Sequence, residues 1–136
     1  MQTFLPYPSF TRSARCLDRR RLGKQRIEAN QILRVLRGET KGWANHPAVR
    51  MWRGYERALE AYRDACIREW VRRGYRNTMA MSEPGGRARS KPPLPPWVGR
   101  RAFHAAHRSN LLRKDPGHYG QFGWKEPADL EYVWPG

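Results

Sequence analysis

Ala48, Trp52, Tyr55, Leu59, Tyr62, Cys66 and Trp70 recur at steps of four and three, the repeat of an α-helix with one apolar face. This stripe predicts a helix over Arg50 to Arg73, with Pro47 suited to its first turn and Gly74 to its C-terminal cap. On the other side, Arg53, Glu56, Arg57, Glu60, Arg63, Asp64 and Arg68 predict a solvated face laced with weak ion pairs. A second helix is expected from about Asp18 to Arg37, with Leu22, Ala29, Ile32, Leu33 and Leu36 inward, Gly38 as its stop and Gly23 as a weak point. The third runs from about Gly99 to Arg113, turns Phe103, Ala106, Asn110 and Leu111 to one side, and ends at Asp115-Pro116. No stretch shows strand alternation and no repeat is present. The expectation is one compact all-α domain over residues 1–136, with about three helices and long ordered loops.

Between the second half of that helical pattern and the third helix lies Tyr75 to Val98, rich in Pro and Gly and carrying Arg87, Arg89 and Lys91. A stretch of this length without a period of its own reads as a functional flap or a mobile loop. Six Trp, six Tyr and four Phe supply a core that a disordered basic tail lacks. Cys16 and Cys66 form no metal spacing and no disulfide framework, and Cys66 falls on the apolar stripe, where a thiol packs as a small hydrophobe. A reducing, cytoplasmic setting is expected, and no apolar run approaches membrane-spanning length.

Charge narrows the partner. Lys and Arg number 27 against 12 Asp and Glu, a formal net charge of +15, and such a balance favours a polyanion. From Arg12 to Arg26 seven cations face one acid, Asp18. Arg19, Arg20, Arg21, Lys24 and Arg26 wrap the start of the second helix, where backbone amides add attraction for phosphate. The acidic tail, with Glu126, Asp129 and Glu131, is expected to lie off the binding face. Gln25 and Glu28 stand on the side of the same helix nearer the core; Glu28 either neutralises Arg21 or Lys24 or acts chemically, and Asp18 serves as an N-cap.

His46, before Pro47, sits at a helix mouth where it caps the helix, packs, or meets a phosphate. His104 and His107 lie three apart, but nothing completes a metal set, and no metal or cofactor is expected. His107, Arg108, Ser109 and Asn110 read instead as the polar lining of a nucleotide pocket. Phe4, Tyr7 and Phe10, and later Tyr119, Phe122 and Trp124, interleave with cations and are assigned mostly to the core, with base stacking as the functional use.

Four blocks then point to a family: M-Q-T-F-L-P-Y-P-S-F at the start, L-D-R-R-R-L-G-K-Q-R-I-E-A-N-Q-I-L, N-H-P-A-V-R-M-W-R-G-Y, and H-R-S-N-L-L-R-K-D-P-G-H-Y. Together they resemble the cellular branch of the pyrimidine dimer DNA glycosylases, related to phage endonuclease V. The resemblance implies a helical domain that binds duplex DNA kinked at a damaged base. In the phage enzyme the nucleophile is the α-amine of a Thr freed by removal of Met, aided by a Glu within R-E-L-P-R. Here Gln2 is too bulky to allow Met removal, and the corresponding registers, Arg21, Leu22 and Gly23, hold no acid. The arginines do have counterparts in Arg20, Arg21, Lys24 and Arg26.

The resemblance therefore implies DNA binding by Arg20, Arg21, Lys24 and Arg26, and the charge and placement of Arg19, His46, His107 and Arg108 add these to the expected DNA-binding set. For catalysis it leaves the α-amine of Met1 as nucleophile, an amine being partly neutral near neutral pH, with Glu28 first, Gln25 second and Asp18 third as the assisting group. The implied activity is a base-excision glycosylase with abasic-site lyase chemistry, acting as a monomer on damaged or modified double-stranded DNA in the nucleoid. The alternative is a non-catalytic binder of distorted DNA or structured RNA. A close amine and acid in a basic groove favours the first; an amine in solvent and Glu28 in a surface ion pair favours the second.

Overall fold

The computed structural model describes residues 1–82 and 91–135. They form helices α1 (Phe10–Cys16), α2 (Arg19–Leu36), α3 (Pro47–Arg50), α4 (Glu56–Arg72), α5 (Arg101–Lys114) and α6 (Pro116–Tyr119), then a 3₁₀ turn over Gly120–Phe122. No strand occurs among the described residues, so the chain is all-α. The three long helices are those the apolar periods predict.

Helix α2 starts where Asp18 caps it, its carboxylate accepting from the Arg21 amide at 3.4 Å, and ends before Gly38, whose φ of 76° only glycine adopts without strain. Leu22, Ala29, Ile32 and Leu33 are fully buried as expected, joined by Val35, while Leu36 is half-buried. Gly23 turns out to be a packing device. A Cβ there would stand 3.1 Å from the Trp70 ring, so glycine lets α4 approach α2 closely.

The expected helix from Arg50 to Arg73 is shorter at its start: α3 ends at Arg50 and α4 begins only at Glu56. Gly54, at φ 86°, closes a turn between α3 and α4 that is held by the Tyr55 amide on the Trp52 carbonyl at 2.8 Å. Its apolar stripe nevertheless faces inward throughout: Ala48, Trp52, Leu59, Tyr62 and Cys66 are fully buried, and Tyr55 and Trp70 are half-buried. The rings of Trp52 and Tyr62 stack with centroids 6.1 Å apart, and Trp97 meets Trp52 edge-on at 4.9 Å.

The far face of α4 is only partly the solvated surface that its alternating charges predict: Arg53, just before it, and Arg57 are exposed, and Glu56, Glu60 and Arg68 are half-buried. Arg63, Asp64 and Glu69 are nevertheless buried, because α1 and α2 both pack on α4 and the chain after α4 folds back to bring Ser82 to Arg63. Arg63 pairs with Asp64 at 3.1 Å and donates to Asn30 on α2 and to Ser82. Burial works against ionisation of Glu69, but hydrogen bonds from Arg72 and Arg73, each 2.7 Å, outweigh it and hold that carboxyl below its usual range.

The segment expected as a flap divides. Its part 83–90, including Arg87 and Arg89, lies outside the described residues. Before it, Asn77 accepts from Arg26 at 3.1 Å and Arg76 offers its carbonyl to Trp70. Beyond it, Trp97 is core, only 3% exposed, with its indole N–H on the Met51 carbonyl at 3.0 Å. Burial pushes the Cys16 and Cys66 thiols up to about 12, so both pack as neutral groups. Truncating Leu59, fully buried on α4 in the hydrophobic core, removes packed side-chain volume and leaves a cavity. Leu59→Ala is expected to cost about 2 to 5 kcal/mol in urea unfolding, and a loss below about 1 kcal/mol would contradict this packing.

Candidate active site

The first residues of the chain run extended and buried, which is costly for a backbone without a strand partner. Side chains take the place of the missing strand. Gln25, 1% exposed on α2, accepts from the Phe4 amide at 2.8 Å and donates to the Gln2 carbonyl at 2.9 Å. The buried Tyr62 hydroxyl reaches both the Phe4 carbonyl, at 2.7 Å, and the Gln25 amide oxygen, at 2.6 Å. Trp52 donates to the Thr3 hydroxyl at 3.0 Å.

From α5 two imidazoles complete the set. His107 Nδ1 accepts from the Leu5 amide at 2.9 Å. His104 Nδ1 meets the Leu5 carbonyl at 2.7 Å while its Nε2 accepts from the Gly99 amide at 2.9 Å, so the Nδ1 carries the proton and the ring is neutral. Burial pushes the proton affinity of His107 down to about 3, and burial lowers that of His104 as well.

This lattice sets Met1 in the wall of a cavity of about 730 Å³. Glu28 lines it too, with one carboxylate oxygen accepting from the Gln2 amide at 3.3 Å and from the Gln25 side-chain amide at 3.1 Å. Gln25 thus ties the chain start and Glu28 to one point. Arg20, Arg21 and Lys24 line the same cavity from α2, and Lys114 from the end of α5. Arg20 and Lys24 are exposed; Arg21 is half-buried, its guanidinium on Asp18 at 3.1 Å. Asp18 also accepts from the Tyr119 hydroxyl. Burial opposes its ionisation, but these hydrogen bonds outweigh that and hold its carboxyl below the usual range.

His46 lines the cavity while capping α3, its Nδ1 accepting from the Ala48 amide at 3.0 Å. Burial lowers its proton affinity, and the positive charge of the N-terminal amine, on a residue lining the same cavity, lowers it further. A second cavity, of about 220 Å³, is lined by Met1 together with Gln31, Arg34 and Trp43.

Several candidates stand elsewhere. Arg19 is exposed on the first turn of α2 but is not in the cavity lining. Arg26 lies over the Trp70 ring at 4.2 Å. His107 is buried beneath the chain start, and Arg108 is bound to Glu126 at 2.9 Å and to the Pro6 carbonyl at 2.8 Å, so neither reaches the cavity. The tail, expected off this face, instead brings Tyr132 and Trp134 into the cavity wall. They were missed because the tail reads as acidic, and Lys114 and Asp115 because the sequence marks them only as a helix stop. Among the described residues no group of three or more His, Cys, Asp or Glu is placed to hold a metal ion.

A family model for pyrimidine dimer DNA glycosylases matches residues 1–83, from the chain start through α4. The chain belongs to this family. The match includes Met1, Gln25, Glu28 and the α2 cations, whereas Lys114, Tyr132 and Trp134 lie beyond it. Neither a curated protein nor a solved structure matches the chain.

The buried imidazoles give this site a pH signature. Unfolded histidine binds its proton near pH 6.5, folded His107 only near 3, so between these values the unfolded state holds more protons and stability drains as pH falls. The thermal midpoint is expected to drop from pH 7 to pH 5, above the range of the depressed carboxyls. His107→Gln, which keeps an acceptor for the Leu5 amide but does not titrate, is expected to flatten that drop; an equally steep decline in the variant would contradict the assignment.

Proposed function

We propose that this glycosylase-family chain excises damaged bases from double-stranded DNA with the α-amine of Met1 as nucleophile, pyrimidine dimers being the substrate the family description supports. The observation that carries the reading is the meeting of Met1 and Glu28 in one cation-lined cavity, where Gln25 holds both the Glu28 carboxylate and the carbonyl of Gln2, the residue next to Met1. Among the described residues the hydrogen-bond donors to Glu28 are the Gln2 and Gln25 N–H groups rather than a cation.

The chemistry follows from those positions. The amine lone pair attacks C1′ of the sugar, the C1′ to base bond breaks with its electrons leaving on the base, and the base takes up a proton. Glu28, in the wall of the same cavity, accepts a proton from the amine and passes it to the ring oxygen as that oxygen is expelled, which leaves an imine at C1′. Loss of a C2′ proton then expels the 3′-phosphate, which is the lyase step. Arg20, Lys24 and Lys114 hold the flanking phosphates, and the rings of Phe4, Tyr132 and Trp134 give the cavity an apolar wall for a base. A DNA substrate places the protein in the cytoplasm, at the nucleoid.

Strand scission of ultraviolet-irradiated and abasic duplexes tests this. Glu28→Gln is expected to lower the single-turnover rate by roughly 10²- to 10⁴-fold while leaving duplex affinity nearly unchanged. Firm, salt-sensitive binding with no scission of either duplex by the wild type would instead support a binder that does no chemistry.

A further inference from the structure

Trp43 is 64% exposed, the most open of the large apolar side chains. Its backbone has φ of 68°, the left-handed geometry that a bulky residue rarely adopts. Gly42, directly before it, is the residue that would take that geometry without strain, yet the tryptophan occupies it. The turn is pinned rather than loose. The Trp43 carbonyl accepts from the His46 amide at 2.9 Å, the Ala44 carbonyl accepts from Arg53 at 3.1 Å, and His46 in turn caps α3.

The indole is therefore held out into solvent on a rigid support, with its ring contact made edge-on to His46 at 5.8 Å. Trp43 and Met1 line the same small cavity, and Met1 and His46 line the larger, cation-lined one. A duplex seated by its phosphates on Arg20, Lys24 and Lys114 has this ring next to the cavity, across Met1 and His46. Aromatic or apolar side chains so placed enter base steps and occupy the gap left by an unstacked nucleotide.

We propose that Trp43 is a wedge, its indole entering the DNA base stack at the nucleotide whose sugar is presented to Met1. This rests on reading the larger cavity as the sugar site, and it assigns lesion preference to a residue outside the amine chemistry. A neighbouring planar base is stabilised by the face of the indole, so a duplex with a missing base is favoured over an intact one.

The test uses binding alone. Wild-type protein, Trp43→Ala and Trp43→Phe are titrated with an intact duplex and with the same duplex carrying a tetrahydrofuran abasic analogue beside 2-aminopurine. Trp43→Ala is expected to lose roughly tenfold in preference for the abasic duplex, the scale of one base–aromatic stack, with intact-duplex affinity held within about threefold. The 2-aminopurine signal change should vanish in Trp43→Ala and persist in Trp43→Phe. An unchanged preference and signal in Trp43→Ala, or an equal loss on both duplexes, overturns the wedge. Those outcomes leave the amine reading standing if scission persists, whereas wild-type binding that is absent or indifferent to salt removes the DNA seat on which both depend.

Discussion

The buried amide of Gln25 is the joint of this molecule. With one oxygen and one nitrogen it engages the Phe4 amide, the Tyr62 hydroxyl, the Gln2 carbonyl and the Glu28 carboxylate. Each of these groups is at least partly withdrawn from water, so leaving any of them unpaired carries a desolvation cost of about 1 to 3 kcal/mol. A hydrocarbon side chain of the same size would orphan the Phe4 amide and the Gln2 carbonyl, and would leave the Tyr62 hydroxyl to the Phe4 carbonyl and the Glu28 carboxylate to the Gln2 amide. A terminal segment ordinarily frays; here it becomes part of the core, with Leu5 and Thr3 fully buried, and the end of that segment is delivered to the cavity wall.

The rest of the fold serves the same placement. Helix α4 supplies Tyr62, the turn before it supplies Trp52, and α5 supplies the two neutral imidazoles that pair with Leu5. Neutral rings are the right choice for that position, because a charged imidazole in the core would bear the full cost of desolvation. Charge is instead concentrated at the start of α2 and the end of α5, where Arg20, Lys24 and Lys114 border the cavity. Much of the remaining cationic surface is already engaged: Arg108 holds Glu126, and Arg72 and Arg73 share Glu69. Net charge alone therefore overstates the surface open to phosphate.

How much of this the sequence carried depended on range. Local periods located α2, α4 and α5 and the residues of their buried stripes, since a helix repeats its face within a few residues. The break at Gly54 was hidden because the apolar stripe continues across the turn. Helix α1 was missed because only Ser13, Ala14 and Cys16 of its seven residues are buried, too few to display a period. Charge alternation misplaced Arg63 and Asp64, which are satisfied by each other, Asn30 and Ser82, since sequence shows the sign of a residue and not what later folds over it. Met1, Gln25 and Glu28 were legible as candidates, yet their meeting depends on Tyr62 and two histidines far along the chain, and no local signal encodes that. Tyr132, Trp134 and Lys114 entered the site by the same long-range packing.

The central claim is that packing around Gln25 makes the α-amine of Met1 the reacting group. Reduction with borohydride during incubation with an abasic duplex, followed by proteolysis and mass mapping of the adduct, tests it most directly. The account predicts one cross-link on the Met1 α-amine, abolished when that amine is acetylated while duplex binding persists. A cross-link on Lys24 or Lys114, with Met1 unmodified, would contradict it.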